Sequence, residues 1–390
     1  MKLGNSPKIK IFALPSQPKS MSRRILIAVT NDLSGDQRIH RIAGTLHDAG
    51  HDVRVVGRVL PRSLPLAPRP YRTHRMRLMF RRGKLFYLEY NFRLFFFLLF
   101  AKADVINAND LDTLLGGYWA ARLTGAELIY DSHEYFTEVP ELIHRPGARS
   151  VWLLLEKWLF PRIQKAYTVN ASIAAIYREK YGMDVQVVRN LPLRKDFPEP
   201  PGSGEKILLY QGALNLGRGL ELLIDSMAHL PDFRLWIAGR GDVDAQLRAQ
   251  VKQKNLIERV SFLGFVPLED LHRITAEASL GLSIEEDLGA NYHFASPNKV
   301  CDYIQAGVPV LVSDLPEMRA LVTAYEVGHV LDSRDRNPEA LAARIRELFQ
   351  SGALARWREN CRQAAAELTW EREQEKLLQI YSGSHSRRDI

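Results

Sequence analysis

Cysteine is almost absent from this chain of 390 residues. Only Cys301 and Cys361 occur. That excludes a disulfide framework, leaves no CxxC or Cys/His metal cluster, and fits a reducing compartment. Long apolar runs are missing too. The longest unbroken one, Leu94 to Ala101, has eight residues, against the ~20 that a spanning helix requires. The opening MKLGNSPKIKIFALPSQPKS is basic but lacks the apolar core of a signal peptide. It reads as a disordered leader, 1–20, with ordered structure expected from Met21. Acid is what one stretch lacks: between Arg54 and Lys102 twelve basic residues stand against one acid, Glu89. Aromatic and basic residues interleave there, in FRRGKLFYLEYNFRLFFFLLFAK. Three readings compete for this segment: an interfacial helix on an anionic membrane surface through 72–102, a core helix with snorkelling arginines, and a nucleic-acid patch. The last is weakest, because no nucleic-acid module signature accompanies it, and no nucleic-acid partner is expected.

What is present has the makeup of a soluble globular protein, with 46% hydrophobic and 25% charged residues. The length favours two domains over one. In the first half short apolar runs alternate with helical stretches: ILIAVT (25–30), VRVVG (53–57), DVINA (104–108), ELIYD (127–131), YTVNA (167–171) and VQVV (185–188). Runs apolar on both sides of the pleat, separated by helices, predict a buried parallel sheet with its ligand beyond the carboxyl ends of the strands. RNLPLRKDFPEPPGSGE (189–205), with four prolines and two glycines, continues neither element and predicts a linker. A second series follows: ILLYQG (207–212), RLWIAG (234–239), VSFLG (260–264), LGLSI (280–284) and VPVLVS (308–313). The expected organisation is an N-terminal Rossmann-like domain over 21–190, a linker over 191–205 and a second such domain over 206–365. A C-terminal helix and tail over 366–390 would return to the first domain. The fold class is α/β, two doubly wound domains facing a central cleft.

YQGALNLGRGLELL is a strand, a glycine-punctuated turn and a helix start. Gly212 and Gly217 permit close backbone approach, and the helix mouth offers unpaired N–H groups to a phosphate. In HFASPNKVCDYIQAG, Ser296 reads as a helix cap with Pro297 in the first turn, which puts Asn298 and Lys299 at a second helix mouth. The GxG of Gly239 and Gly241 is weak by itself, and no G-x-G-x-x-G follows the first strand, so a dinucleotide cofactor is not expected.

These motifs, in order with LWIAGRGD, VSFLGFV and ASPNKVCDYIQAGVPVLVSD, resemble the donor domain of family 4 glycosyltransferases of GT-B fold, over Ile207 to about Leu331. NDLSGDQRIHR, GHDVRVV and YDSHEYF resemble the N-terminal half of that family more weakly. The resemblance implies a nucleotide-sugar donor of the UDP or GDP type, retention at the anomeric carbon, no metal and no cofactor. It implies a diphosphate grip by Arg218 and Lys299, ribose recognition by Asp302, and a donor-sugar contact by a neutral His133, with Glu134 binding acceptor or stabilising charge. Gly35 would begin the first helix beneath a phosphate, with Asp36 and Arg38 as weaker candidates, while Asp131 organises its turn. Two positions depart from the family pattern: Ala213 stands where a second basic residue is usual, and Phe294 where the first glutamate of a pair is usual. Counted from the preceding strand, Glu286 takes that glutamate's place as a sugar-hydroxyl ligand. A metal held by Glu285, Glu286 and Asp287 is the lesser reading of the same acids. The expected partner beyond the donor is a glycan or lipid-linked acceptor in cell-surface polysaccharide synthesis, on the cytoplasmic face of the membrane. The alternatives are a nucleotide-sugar 2-epimerase of the same fold and a non-catalytic binding protein with a degenerate cleft.

Overall fold

The computed structural model describes residues 22–382 except 62, 140–141, 143–144 and 200–203. The expected leader 1–20 and four linker residues lie outside the described residues.

Seven parallel strands form the first sheet: β1 (Arg24–Ala28), β2 (Asp52–Arg58), β3 (Arg72–Met76), β4 (Val105–Asn109), β5 (Glu127–Ser132), β6 (Lys165–Thr168) and β7 (Gln186–Val187). Six form the second: β8 (Lys206–Gln211), β9 (Phe233–Ala238), β10 (Val260–Gly264), β11 (Leu280–Ser283), β12 (Val310–Ser313) and β13 (Gly328–Leu331). The orders are β3-β2-β1-β4-β5-β6-β7 and β10-β9-β8-β11-β12-β13. Both therefore reverse direction beside their first strand, between β1 and β4 and between β8 and β11. Such a switch point opens a crevice at the carboxyl ends of the strands. The chain beyond β4 and the glycine turn after β8 both leave from these crevices.

Alternation along each strand sends side chains into two cores. Ile25 and Ile27 of β1 join one buried cluster with Ile39, Ile42 and Leu46 of the helix Gln37–Asp48. Leu26 and Ala28 join the other, under the helices Gly83–Phe100, Leu111–Thr124 and Pro146–Leu159. Two strands were not visible in the sequence. β3 reads RTHRM, four of its five residues polar, because it is an edge strand with three exposed positions. β13 reads GHVL, partly exposed at the other sheet's edge. The basic-aromatic segment thus divides into a strand and a helix. Phe86, Tyr90, Leu94 and Leu98 pack inward from that helix, while Leu88, Phe92 and Phe100 remain exposed.

After β13 the chain forms three helices, Pro338–Gln350, Ala353–Glu367 and Trp370–Ser382. The second runs through residue 366, so the break falls at Leu368 and Thr369. Beyond it Trp370, Leu377, Ile380 and Tyr381 bury themselves in the first domain, with Ile25 and Leu46. Trp370 donates its indole N–H to Thr45 Oγ1 at 2.9 Å.

Candidate active site

At the β8–β11 crevice two cations share one acid. Gly219 adopts φ 73°, and a Cβ there would lie 2.3 Å from the carbonyl of Ile284, so only glycine closes the turn against β11. Gly239, at φ 152°, would place a Cβ 1.8 Å from the carbonyl of Gly212, which is why glycine follows β9 beneath this turn. Arg218 is thereby aimed at Glu285, with Nη1 3.6 Å from Oε1. Lys299 Nζ donates to the same Oε1 at 2.8 Å, and Ser283 Oγ donates to Oε2 at 2.8 Å. Glu285 is fully buried; burial pushes its carboxyl up, but Lys299 and Arg218 outweigh that and hold it below the usual range. Arg218 Nε is buried without a hydrogen-bond partner among the described residues. Gly212 lies beside the Lys299 side chain, whose ammonium sits 4.0 Å over the Tyr210 ring.

The three adjacent acids part company. Glu285 turns inward, Glu286 uses its backbone N–H on Gly217 O (2.8 Å), and Asp287 pairs with His293. Glu285, not Glu286, is the acid that meets the cations. The helix with Lys299 begins at Asn298, with Pro297 at the cap and no side-chain cap bond. Ser296 does not cap it, since its hydroxyl instead accepts from Asn170 of the other domain at 3.2 Å. Asn298 is exposed at the helix start. Asp302 faces a separate recess lined by Lys195, Gln211, His272 and Thr275. Burial pushes its carboxyl up to about 6, against the pull of Lys195 and Arg41. The recess encloses about 10 Å³, too little for a ribose without movement of its walls.

His133 sits just beyond β5 in the first domain. Its Nε2 lies 3.0 Å from Asp131 Oδ2 and 3.1 Å from Asn109 Oδ1, and Nδ1 lies 3.5 Å from Asp110 Oδ2. Nε2 has two acceptors within hydrogen-bond distance, while Nδ1 has only Asp110, at 3.5 Å. Burial lowers the imidazole pKa, but Asp131 and Asp110 raise it more, to about 9. That pull favours the protonated ring over the neutral imidazole expected from the sequence. Arg38 is no loose ligand: it is buried and grips Asp131 through Nε (3.2 Å) and Nη2 (2.7 Å). Although burial opposes it, Arg38 and His133 hold the Asp131 carboxyl down at about 2. Gly35 is exposed before the first helix, which begins at Gln37 with Asp36 as its cap.

Sequence reasoning missed Asp110 and Asp112. Asp110 holds φ 58° and ψ 166°, a region nearly reserved for glycine, and accepts from the His133 N–H at 2.9 Å. Asp112 accepts from Thr30 across the β1–β4 crevice at 2.6 Å. Burial pushes both carboxyls up to about 7. The NDLD spacing after β4 was the available signal.

The segment between β11 and Lys299 touches both centres. Asn291 Oδ1 accepts from the Tyr135 N–H at 3.0 Å, and Asn291 Nδ2 donates to Glu134 Oε2 at 3.1 Å. Its neighbour Tyr292 lies 4.9 Å under Arg218 and donates to Leu216 O at 3.1 Å. Phe294 packs on the first domain's core, and its carbonyl accepts from Asn170 at 2.7 Å. The missing glutamate at 294 is thus an interdomain anchor.

Residues 194–367 match the family model "Glycosyl transferases group 1", and residues 35–193 match "Glycosyl transferase 4-like domain". A phosphatidyl-myo-inositol mannosyltransferase of Mycobacterium leprae is 24% identical over 258 residues, 64% of this chain and 65% of that relative's length. Among solved structures, sucrose-phosphate synthase from Thermosynechococcus elongatus superposes at TM-score 0.76, 20% identical, over 92% of this chain and 98% of that one. HepE of Anabaena, in complex with UDP-glucose, superposes at 0.72, 17% identical, over 92% and 99%. Two parallel-sheet domains, the glycine turn after β8 and the two matched models together make this chain a member of the group 1 glycosyltransferases of GT-B fold, and an enzyme of that kind.

Proposed function

We propose that the chain transfers a sugar from a UDP- or GDP-sugar to a lipid-linked or glycan acceptor with retention of anomeric configuration. The observation that carries this reading is the meeting of Arg218 and Lys299 on buried Glu285, one dipeptide away from the turn of His133. Two cations at a glycine turn suit a diphosphate, and charge-assisted bonds to it are the strong kind. Asp302 serves the ribose once its recess opens, and Gly212, Ser296 and Asn298 border the donor. Glu286 is left as a rim acid near the sugar. The HepE complex with UDP-glucose supports a UDP-sugar donor.

In this reading the Nδ1–H of His133, which lies 3.5 Å from Asp110 Oδ2, donates to a sugar hydroxyl and fixes the ring, while Glu134 holds the turn. The bond from the anomeric carbon to the diphosphate breaks toward Arg218 and Lys299. The acceptor oxygen bonds to that carbon on the same face, and its proton passes to the departing diphosphate oxygen. No protein base, metal or cofactor is assigned a step.

The acceptor's lipid character rests on the first domain. Leu88, Phe92 and Phe100 are exposed beside an open groove lined by His74, Arg77 and Arg93. Trp119 and Leu123 are exposed on the helix packed against theirs, and Leu154 on the next. Cations over apolar surface suit an anionic membrane, and the mannosyltransferase relative is named for a phospholipid. Among the described residues no helix is long and apolar enough to cross a bilayer. The place proposed is the cytoplasmic face of the membrane, in polysaccharide assembly.

Proton NMR of the product tests the reading. An α-linked donor should give an α-linked product, and only in the presence of acceptor. A β-linkage would overturn retention, and a C2-epimerised nucleotide sugar formed without acceptor would favour the 2-epimerase.

A further inference from the structure

The chain between Glu286 and Pro297 leaves the donor domain, touches the other domain and returns. One end is fastened to the glycine turn, through Glu286 N–H on Gly217 O and the Tyr292 hydroxyl on Leu216 O. The far side is fastened to the turn after β5, where the single amide of Asn291 engages two groups at once. Its oxygen accepts from Tyr135 N–H, and its nitrogen donates to the Glu134 carboxylate. A carboxamide is the one short side chain that carries both a donor and an acceptor on adjacent atoms. Alanine would supply neither bond, and aspartate only the acceptor. Asn291 and Tyr292 are consecutive, so the contact with the His133 turn and the contact with Arg218 lie on two sides of one peptide unit.

We propose that Asn291 is a positioning residue for the transfer step: from the donor domain it holds the turn that carries His133, and thereby sets the imidazolium relative to the diphosphate grip. This rests on the reading that His133 acts at the donor sugar. Asn291 touches neither reacting atom in that scheme and acts through Tyr135 and Glu134. Its loss therefore affects turnover and leaves nucleotide affinity alone, because Arg218, Lys299 and Asp302 stand on other elements.

Three variants test this: Asn291→Ala, Asn291→Asp, and Asn291→Asp combined with Glu134→Gln. Hydrogen–deuterium exchange of the ligand-free protein reads the hold on residues 133–137. Nucleoside-diphosphate release from UDP-glucose, UDP-galactose, UDP-N-acetylglucosamine and GDP-mannose reads turnover, and calorimetry with UDP and GDP reads affinity. In Asn291→Ala, exchange at Tyr135 should rise about tenfold, because its amide loses its acceptor. Turnover should fall about tenfold or more through misplacement of the reacting groups, with UDP or GDP Kd changed by less than about twofold. Asn291→Asp keeps the acceptor for Tyr135 but sets two carboxylates face to face, and turnover should fall further. Adding Glu134→Gln restores that bond with donor and acceptor exchanged, and turnover should recover toward the wild type. Wild-type exchange or turnover in Asn291→Ala, or a double variant no better than Asn291→Asp, overturns the proposal. His133→Ala isolates the underlying reading: wild-type turnover there would remove His133 from the chemistry, while the exchange result would still report the hold.

Discussion

Around His133 the carboxylates of Asp131 and Asp110 fix a proton that the free side chain would release near neutrality. An imidazole raised to about 9 binds its proton more tightly folded than unfolded. Its contribution to stability is complete below the unfolded value near 6.5 and disappears as pH rises through 9, about 3 kcal/mol in all. Asp110 and Asp112, raised to about 7, act in the same direction, but their part is lost as pH rises from the usual carboxylate range through 7. Between pH 7.5 and 9.5 the melting temperature should therefore fall chiefly because of His133, and His133→Gln should flatten that slope. An unchanged slope would mean that the imidazole is neutral after all. On the donor side, Arg218→Ala and Lys299→Ala should each weaken UDP or GDP binding about tenfold, since one charge-assisted bond is worth ~1.5–3 kcal/mol. Calorimetry reads it directly, and unchanged affinity in both would dissolve the grip. Lys299 was marked in the sequence by a helix start, and Arg218 by the family pattern at the glycine turn. Glu285 was not: next to Glu286, it is told apart only by the direction in which β11 ends.

Elements were legible where both faces of a strand are buried. β1, β4 and β5 read as continuous apolar runs because each lies inside its sheet. β3 and β13 failed that test as edge strands, half exposed and short of apolar residues. The helix Gly83–Phe100 was ambiguous for a different reason: it is apolar nearly all round. One face carries Tyr90 and Leu94 into the core, and the other leaves Leu88, Phe92 and Phe100 in the open. Its inner side is that of a core helix, and the interfacial reading concerns the open side alone. If the open side meets lipid, the protein should sediment with anionic vesicles and leave them at high salt, since near-surface cations contribute about 1 kcal/mol each and are screened. A Leu88→Ser, Phe92→Ser, Phe100→Ser variant should lose that binding with little change in melting, because the replaced side chains are mostly exposed. Equal binding to neutral and anionic vesicles would remove the electrostatic part of this account.

At the scale of the whole molecule, the two domains are held by more than the linker. The last helix, Trp370–Ser382, follows the donor domain in sequence but completes the core of the other. Glu373 fixes it to Arg189 at the end of the first domain (2.8 Å), and Tyr381 reaches Asn107 inside β4. Its amphipathic pattern and its return to the first domain were expected from the sequence; which core of that domain it completes was not, because nothing local in an apolar stripe says which face of a sheet it will cover. That destination makes a prediction about cooperativity. Trp370 is buried against Thr45 and the β1 layer, so Trp370→Ala should cost about 3–5 kcal/mol. The loss should fall on the first domain, although the residue lies at the far end of the chain. UDP binds the donor domain in the proposed scheme and should raise only the transition to which that domain belongs. In calorimetry Trp370→Ala should then lower a transition that UDP fails to rescue, while the UDP-sensitive one stays near its wild-type position. If both shift together, the domains melt as one unit, bound by Asn291, Phe294 and this helix. If neither shifts, the helix covers the first core without supporting it.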